Sequence, residues 1–258
     1  FMTAFFLILG FAVYYLPHIN PFTYSTYPKK LAPSLKHILG TTSMGQDVFW
    51  LLIEAIHNSL MIGLIVAFIG TVVGVLAGLI AGFSGGAVDR AITVVTDTFV
   101  VIPSLPILVL MTALMKGSST VILMALVLAM FAWAWPSRQI RSLALRDFIH
   151  TAWFSGEGTL QVVVTEILPF ALTWSLSNFM NATLAAIASE SSLAVLGLSP
   201  GNLISLGNMI QWARDRNAIF ARQWFWIGSP IVATVLLFIG LFLLITGYND
   251  YLSMKRGR

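Results

Sequence analysis

The chain lacks cysteine altogether and has little charge. Of its 258 residues only 9% are Asp, Glu, Lys or Arg, against 58% hydrophobic. Without cysteine there is no disulfide framework, no thiolate metal site and no Cys nucleophile. A soluble domain carries about 25% charged residues, so this chain cannot cover a water-facing surface, and its mean hydropathy of +0.88 agrees. A soluble enzyme, a disordered chain and a repeat solenoid are excluded, and the protein reads as integral to a membrane. Fourteen Lys and Arg against ten Asp and Glu leave a net charge of +4. That excess is spread over many loops and makes no nucleic-acid patch, which requires basic residues clustered on one face. Catalytic devices are missing as well. The four histidines, His18, His37, His57 and His150, show no metal-ligand spacing, and no HExxH pair or phosphate-cradling GxxxxGK[ST] loop occurs. The chain therefore has no such ATP site of its own, and an intramembrane enzyme is disfavoured.

What is abundant is long apolar sequence. A membrane helix requires about 20 mostly apolar residues. Six stretches qualify, some only with their flanks: Phe1 to Leu16, Leu60 to Phe83, Ala91 to Met115, Thr120 to Trp135 (ended by Pro136), Ile167 to Ala188 and Ile227 to Thr246. They are continuous, whereas barrel strands alternate apolar and polar residues, so the expected fold is all-α and polytopic with six transmembrane helices. No basic n-region or small-residue cleavage site precedes the first run, which reads as a span whose N-terminal tail lies outside this numbering. Residues 1–16 form that span, 17–50 a proline-rich aqueous loop and 51–258 a core of five spans with a polar loop at 137–166. The segment from Ser199 to Trp226 reads as interfacial, because Trp224 and Trp226 suit the headgroup level. Charge does not orient the bundle. Arg90, Arg138, Arg141, Arg146, Lys255, Arg256 and Arg258 fall on one side; Lys29, Lys30, Lys36, Lys116, Arg214, Arg216 and Arg222 fall on the other.

Three features point to mechanism. Gly70, Gly74, Gly78 and Gly82 recur every fourth residue and make a stripe over which another helix can approach closely. The stripe serves static packing, or packing that slides during a transport cycle. Polar residues at membrane depth come second, since these usually face the bundle interior or water. Asn178 and Asn181 share a helix face and either line a polar pathway or bond to neighbouring helices. Asp97 and Glu190 are either gate or substrate groups, or lie near span ends, solvated or paired. The third feature is the loop from Arg146 to Pro169. Asp147 is a good N-cap, Phe148 to Phe154 a short helix, and Gly156 a residue that can end it in a left-handed conformation. Trp153 and Phe154 form an aromatic knob beside the small residues Thr151 and Ala152. Such a knob suits docking into another protein's groove; folding back on its own bundle is the alternative.

At this loop the chain resembles a permease subunit of an ABC importer, and more narrowly the second permease of the dipeptide/oligopeptide and nickel uptake class. The family's signature is an E-A-A segment, a Gly four residues later and a closing L-P. The matching positions are His150, Thr151, Ala152, Gly156, Leu168 and Pro169. HILGTTSMGQDV (His37 to Val48) resembles H-x-L-G-T-D-x-x-G-R-D-V, and ESSLAVLGLS (Glu190 to Ser199) resembles E-A-x-L-S-F-L-G-L-G. GLIAGFSGGAVD (Gly78 to Asp89) and the run linking Asp97 to Pro103 are close to the family form, and Gly247 and Asp250 fit its closing pattern. The resemblance covers about Leu31 to Arg258. Departures mark a divergent member: Thr42 stands for the usual Asp, Gln46 for Arg, His150 for Glu and Trp153 for Arg.

The resemblance implies the type I importer permease fold with the signature loop in the cytoplasm of a bacterium or archaeon. It implies a second permease as heterodimer partner, two ATP-binding subunits that hold ATP and Mg, and an extracytoplasmic substrate-binding protein. ATPase coupling would fall to Asp147, His150, Thr151, Ala152, Trp153, Phe154 and Gly156. Peptides are the implied cargo, with oligosaccharides or nickel as alternatives. A stand-alone channel or ion-coupled carrier is the competing class.

Overall fold

The computed structural model describes residues 2–16, 21, 23–114, 120–144, 161, 168–200 and 202–256. Among these the chain is helical, with a single isolated bridge between Thr41 and Asp47 in place of any strand. The longest element is α2, Val48–Ser84, of 37 residues, or about 55 Å at 1.5 Å per residue. It begins twelve residues before the predicted span because Asp47 caps it. One Asp47 carboxylate oxygen accepts from the Phe49 and Trp50 amides at 2.8 and 3.4 Å, and the other meets His37 Nδ1 at 2.7 Å. The preceding loop is knitted by backbone hydrogen bonds such as Lys30 N to Thr42 O and Val48 N to Gly40 O. Gly45 there has φ +74, and a Cβ would meet the Tyr27 carbonyl. Thr42 and Gln46, which replace the family's opposite charges, are both buried. Thr42 Oγ1 accepts from the Gln46 amide, and Gln46 Nε2 donates to the Pro21 carbonyl at 3.0 Å. Neutral hydrogen bonds thus serve where an unpaired charge would be costly.

The first helix, α1 (Met2–Leu7), continues as a π-helical turn, Ile8–Val13. It is tied to α2 through His57, whose Nδ1 donates to the Gly10 carbonyl at 2.6 Å while Tyr14 stacks on its ring at 3.8 Å. At the other end of α2, Gly85 and Gly86 both take positive φ, a corner that side chains rarely permit, and turn the chain into α3, Gly86–Val101.

The expected third span is not straight. Ile102 is extended, as the residue before a proline tends to be, and after Pro103 the chain enters α4, Ser104–Leu114, at 83° to α3. The fourth is bent too: α5, Val121–Ala132, meets α6, Ala134–Ala144, at 40°. Pro136 does not end the span as expected. It sits in the first turn of α6, where a missing N–H costs nothing. Then follow α7 (Leu168–Val195), α8 (Leu206–Asp215) and α9 (Trp224–Arg256). The segment read as interfacial contains α8, which Ser205 caps and which buries Leu206, Met209 and Ala213.

Among the described residues two helices are long and apolar enough to cross a bilayer, α2 and residues Trp224–Leu252 of α9; counting each bent pair as one span gives four. The six spans expected from sequence exceed this for a physical reason. With 28 residues α7 is long enough, but it interrupts its apolar character with Ser177, Asn178 and Asn181, while α1 is short. One core joins α1, the N-terminal half of α2, α8 and α9; another joins α2, α4, α5 and α7.

Candidate functional site

The glycine stripe of α2 lies against the α5–α6 bend. A Cβ on Gly70 would come within 2.6 Å of Ala132 Cβ, on Gly74 within 2.5 Å of Pro136 Cβ, and on Gly78 within 2.5 Å of the Ser137 carbonyl. The bent arm therefore rests directly on the α2 backbone, and a cavity of about 650 Å³ opens on its other side. Its walls come from α4 (Ser104, Leu108), the α5–α6 arm (Leu128, Phe131, Trp135), α7 (Trp174, Ser177, Asn178, Asn181, Ser189) and the end of α9 (Asn249).

Asn178 and Asn181 both face this cavity. Asn178 also bonds to a neighbouring helix, its Nδ2 donating to Thr71 Oγ1 on α2 at 3.1 Å. Asn181 donates to the Ser177 carbonyl at 3.0 Å, and Ser177 Oγ donates to Asn249 Oδ1 at 2.7 Å, closing the α7–α9 corner. Among the described residues lining the cavity none is charged and none is a histidine. These residues offer dipoles and indole faces.

Asp97 and Glu190 do not line it. Asp97, half exposed on α3, lies 3.9 Å from Arg138 Nη1 of α6. Glu190 is completely buried near the end of α7, where its Oε1 accepts from Ser205 Oγ at 2.7 Å and Ser199 Oγ at 3.3 Å. Asn208 completes this cluster: its Nδ2 donates to Ser199 Oγ and to the Pro200 and Leu203 carbonyls. Glu190 thus holds the start of α8 and its loop against α7.

Sequence reasoning missed a second ion pair in the same place. Arg141 of α6 grips Asp89 of α3 with two parallel hydrogen bonds, Nε to Oδ1 at 2.5 Å and Nη2 to Oδ2 at 2.8 Å. These residues are 52 apart in the chain, so their isolated charges beside apolar runs were the only available signal. Asp147, His150, Thr151, Ala152, Trp153, Phe154 and Gly156 lie outside the described residues, as does the short helix expected at 148–154. Gly82 is partly buried at the end of the stripe.

Comparison with known proteins converges on one family. The model of the binding-protein-dependent transport system inner membrane component matches residues 74–258. The chain is 30% identical to the oligopeptide transport system permease protein of Mycobacterium tuberculosis over 97% of its own length and 90% of that protein. It is 28% identical to the nickel transport system permease protein of Escherichia coli strain K12 over 87% of itself and 82% of that protein. Among solved structures, the MetNI methionine ABC transporter in inward-facing conformations aligns over 80% of this chain and 99% of that one, with a TM-score of 0.55 at 17% identity. At that identity the likeness speaks to the fold alone.

Proposed function

The chain belongs to the binding-protein-dependent transport system inner membrane components, as a permease subunit of an ABC importer, and from that premise we propose that it forms half of a path for peptides. The observation that carries the proposal is the neutral wall of the cavity. A nickel ion takes imidazole, carboxylate or thiolate ligands, and the described residues lining this cavity include none of them. Asn178, Asn181 and Asn249 each present an amide donor and acceptor, the pattern of a peptide bond, and Trp135 and Trp174 present flat apolar faces for side chains. The same indole faces also favour stacking on sugar rings, which keeps oligosaccharides as the second reading.

In this reading six spans cross the membrane: α1 with its π turn, α2, the α3–α4 and α5–α6 pairs, α7 and α9. The 28 residues of α7 reach about 42 Å, and its polar side chains are tolerated because they face the cavity. The segment around Asp147 to Gly156 is cytoplasmic and docks on one of two ATPase subunits, which bind the nucleotide. A second permease supplies the other half of the path, and an extracytoplasmic binding protein delivers the cargo.

The test uses the assembled importer in proteoliposomes, with a radiolabelled mixed-peptide pool, a labelled oligosaccharide and nickel-63 as separate probes. Peptide uptake dependent on ATP is expected, and replacing Asn178 and Asn181 together with Leu should reduce it while the complex still assembles. Uptake of nickel instead would refute the cargo assignment. Solute movement by this chain alone without ATP would make it a channel or carrier.

A further inference from the structure

Helix α6 begins at the cavity wall and ends at Ala144, next in sequence to the segment that the permease reading assigns to docking. At its near end Trp135 and Pro136 touch the cavity. On one side it rests on the α2 glycines. Along the other it meets α3 through three polar contacts: Asp89 with Arg141, Thr96 Oγ1 with Ser137 Oγ at 3.4 Å, and Asp97 with Arg138. The contacts differ in quality. The outer pair, Asp97–Arg138, is long and half exposed, which makes it weak. The Thr96–Ser137 contact is buried. Asp89–Arg141 is bidentate and only 18% and 31% exposed at its two side chains, the geometry in which a guanidinium fixes orientation as well as distance. Beyond the 83° bend, α3 continues as α4, whose Ser104 and Leu108 form another part of the cavity wall.

We propose that Arg141 and Asp89 are positioning residues for transport: they lock α3 to α6, so that displacement of the docking segment moves both walls of the cavity together. Without the lock, α6 would still slide along the glycine stripe, and only the Trp135 wall would follow. The inference rests on the permease reading given above. It adds that coupling within this subunit runs through one ion pair as well as through the continuity of the chain. The physical requirement is a two-state element biased from one end, and the α3–α6 seam provides a rigid link to it.

The absence of cysteine permits a direct test. Ser104 on α4 and Ser189 on α7, on different cavity walls, are replaced by Cys and spin-labelled in the complete importer, with signal from partner chains subtracted using a complex lacking the pair. The distance between labels is measured with and without ATP and vanadate, and ATP hydrolysis is read in parallel. In the otherwise unaltered complex the distance should change with nucleotide. In Arg141→Ala the change should fall by about half or more while hydrolysis and assembly stay within about twofold, a loss in the usual range of coupling between sites. The charge-reversed pair Asp89→Arg with Arg141→Asp should recover most of it, as a double-mutant cycle requires for a direct interaction. A full distance change in Arg141→Ala, or no recovery on reversal, overturns the lock while leaving the permease reading intact. A complex that neither hydrolyses ATP nor shifts, with the pair unaltered, overturns that reading and the lock with it.

Discussion

Ser205 uses its hydroxyl twice. It donates to Glu190 Oε1 at 2.7 Å and accepts from the Asn208 amide at 3.2 Å, so it caps α8 and partners one oxygen of a buried carboxyl group at once, while Oε2 has no hydrogen-bond partner among the described residues. Ser199 also serves Glu190, but at 3.3 Å and without a capping role. Loss of an N-cap costs about 1 kcal/mol, and loss of a hydrogen bond to a buried acceptor about 1–3 kcal/mol. Ser205→Ala should therefore destabilise by about 2–3 kcal/mol and Ser199→Ala by about 1 kcal/mol, judged from those same ranges. Thermal unfolding of the purified protein in detergent measures both, and the reverse order would show that Glu190 is held in some other way. Glu190 stood out in the sequence because a carboxylate near the end of an apolar run demands a reason. Its partners lie 9 and 15 residues on, in a segment that looked merely interfacial, so its structural task was not legible.

The glycine stripe operates between elements. Gly74 faces the Trp133 carbonyl and Pro136, and a backbone carbonyl and a proline ring cannot move aside as a flexible side chain can. Gly74→Leu should force α2 and the α5–α6 arm apart, at a cost of about 1–3 kcal/mol for overpacking, and should lower the yield of folded protein. Gly228 on α9 has open space where its Cβ would stand. Gly228→Ala should be neutral or stabilise by up to about 1 kcal/mol, because Gly is the poorer helix former. A parallel thermal comparison of the two variants separates packing from propensity; equal effects would mean the stripe is not an interface. The spacing of Gly70, Gly74 and Gly78 can be read from the sequence, but their partner cannot. Helices α2 and α6 are separated in the chain by α3, α4 and α5, and a periodic small-residue face does not name the helix that covers it.

For the whole molecule the question is how an ATPase on another chain moves this bundle. The segment from Asp147 to Gly156 is the expected handle. Introducing a charge into it with Ala152→Asp, or bulk at its turn with Gly156→Val, should leave the protein in the membrane and bound to its partner permease. Uptake should fall about tenfold or more while hydrolysis by the ATPases continues, a change within the range of allosteric coupling energies. Uptake and hydrolysis measured on the same vesicles decide it, and normal uptake in both variants would exclude the coupling role. This effect differs from that of Arg141→Ala. On the proposed reading the loop variants would fail at the grip on the ATPase, whereas Arg141→Ala would retain the grip and lose only the concerted movement of the α4 wall.

The sequence by itself determined that the chain is a helical membrane protein, because composition and the length of apolar runs are local quantities set by the solvent they must match. Its motifs were sufficient to read the family, and Asn178 and Asn181 could be placed on one face because helical spacing is also local. Tertiary structure alone decided the rest. That Asn178 and Asn181 look onto a cavity whose described lining is uncharged while Asp97 and Glu190 do not, that two helix pairs bend at Pro103 and Trp133, and that Arg141 finds Asp89 across 52 residues all follow from which faces pack together. Packing is a property of the assembled bundle: a carboxylate that reads as a gate in an apolar run can be satisfied by any donor the fold brings within about 3 Å, and no local pattern says which donor that will be.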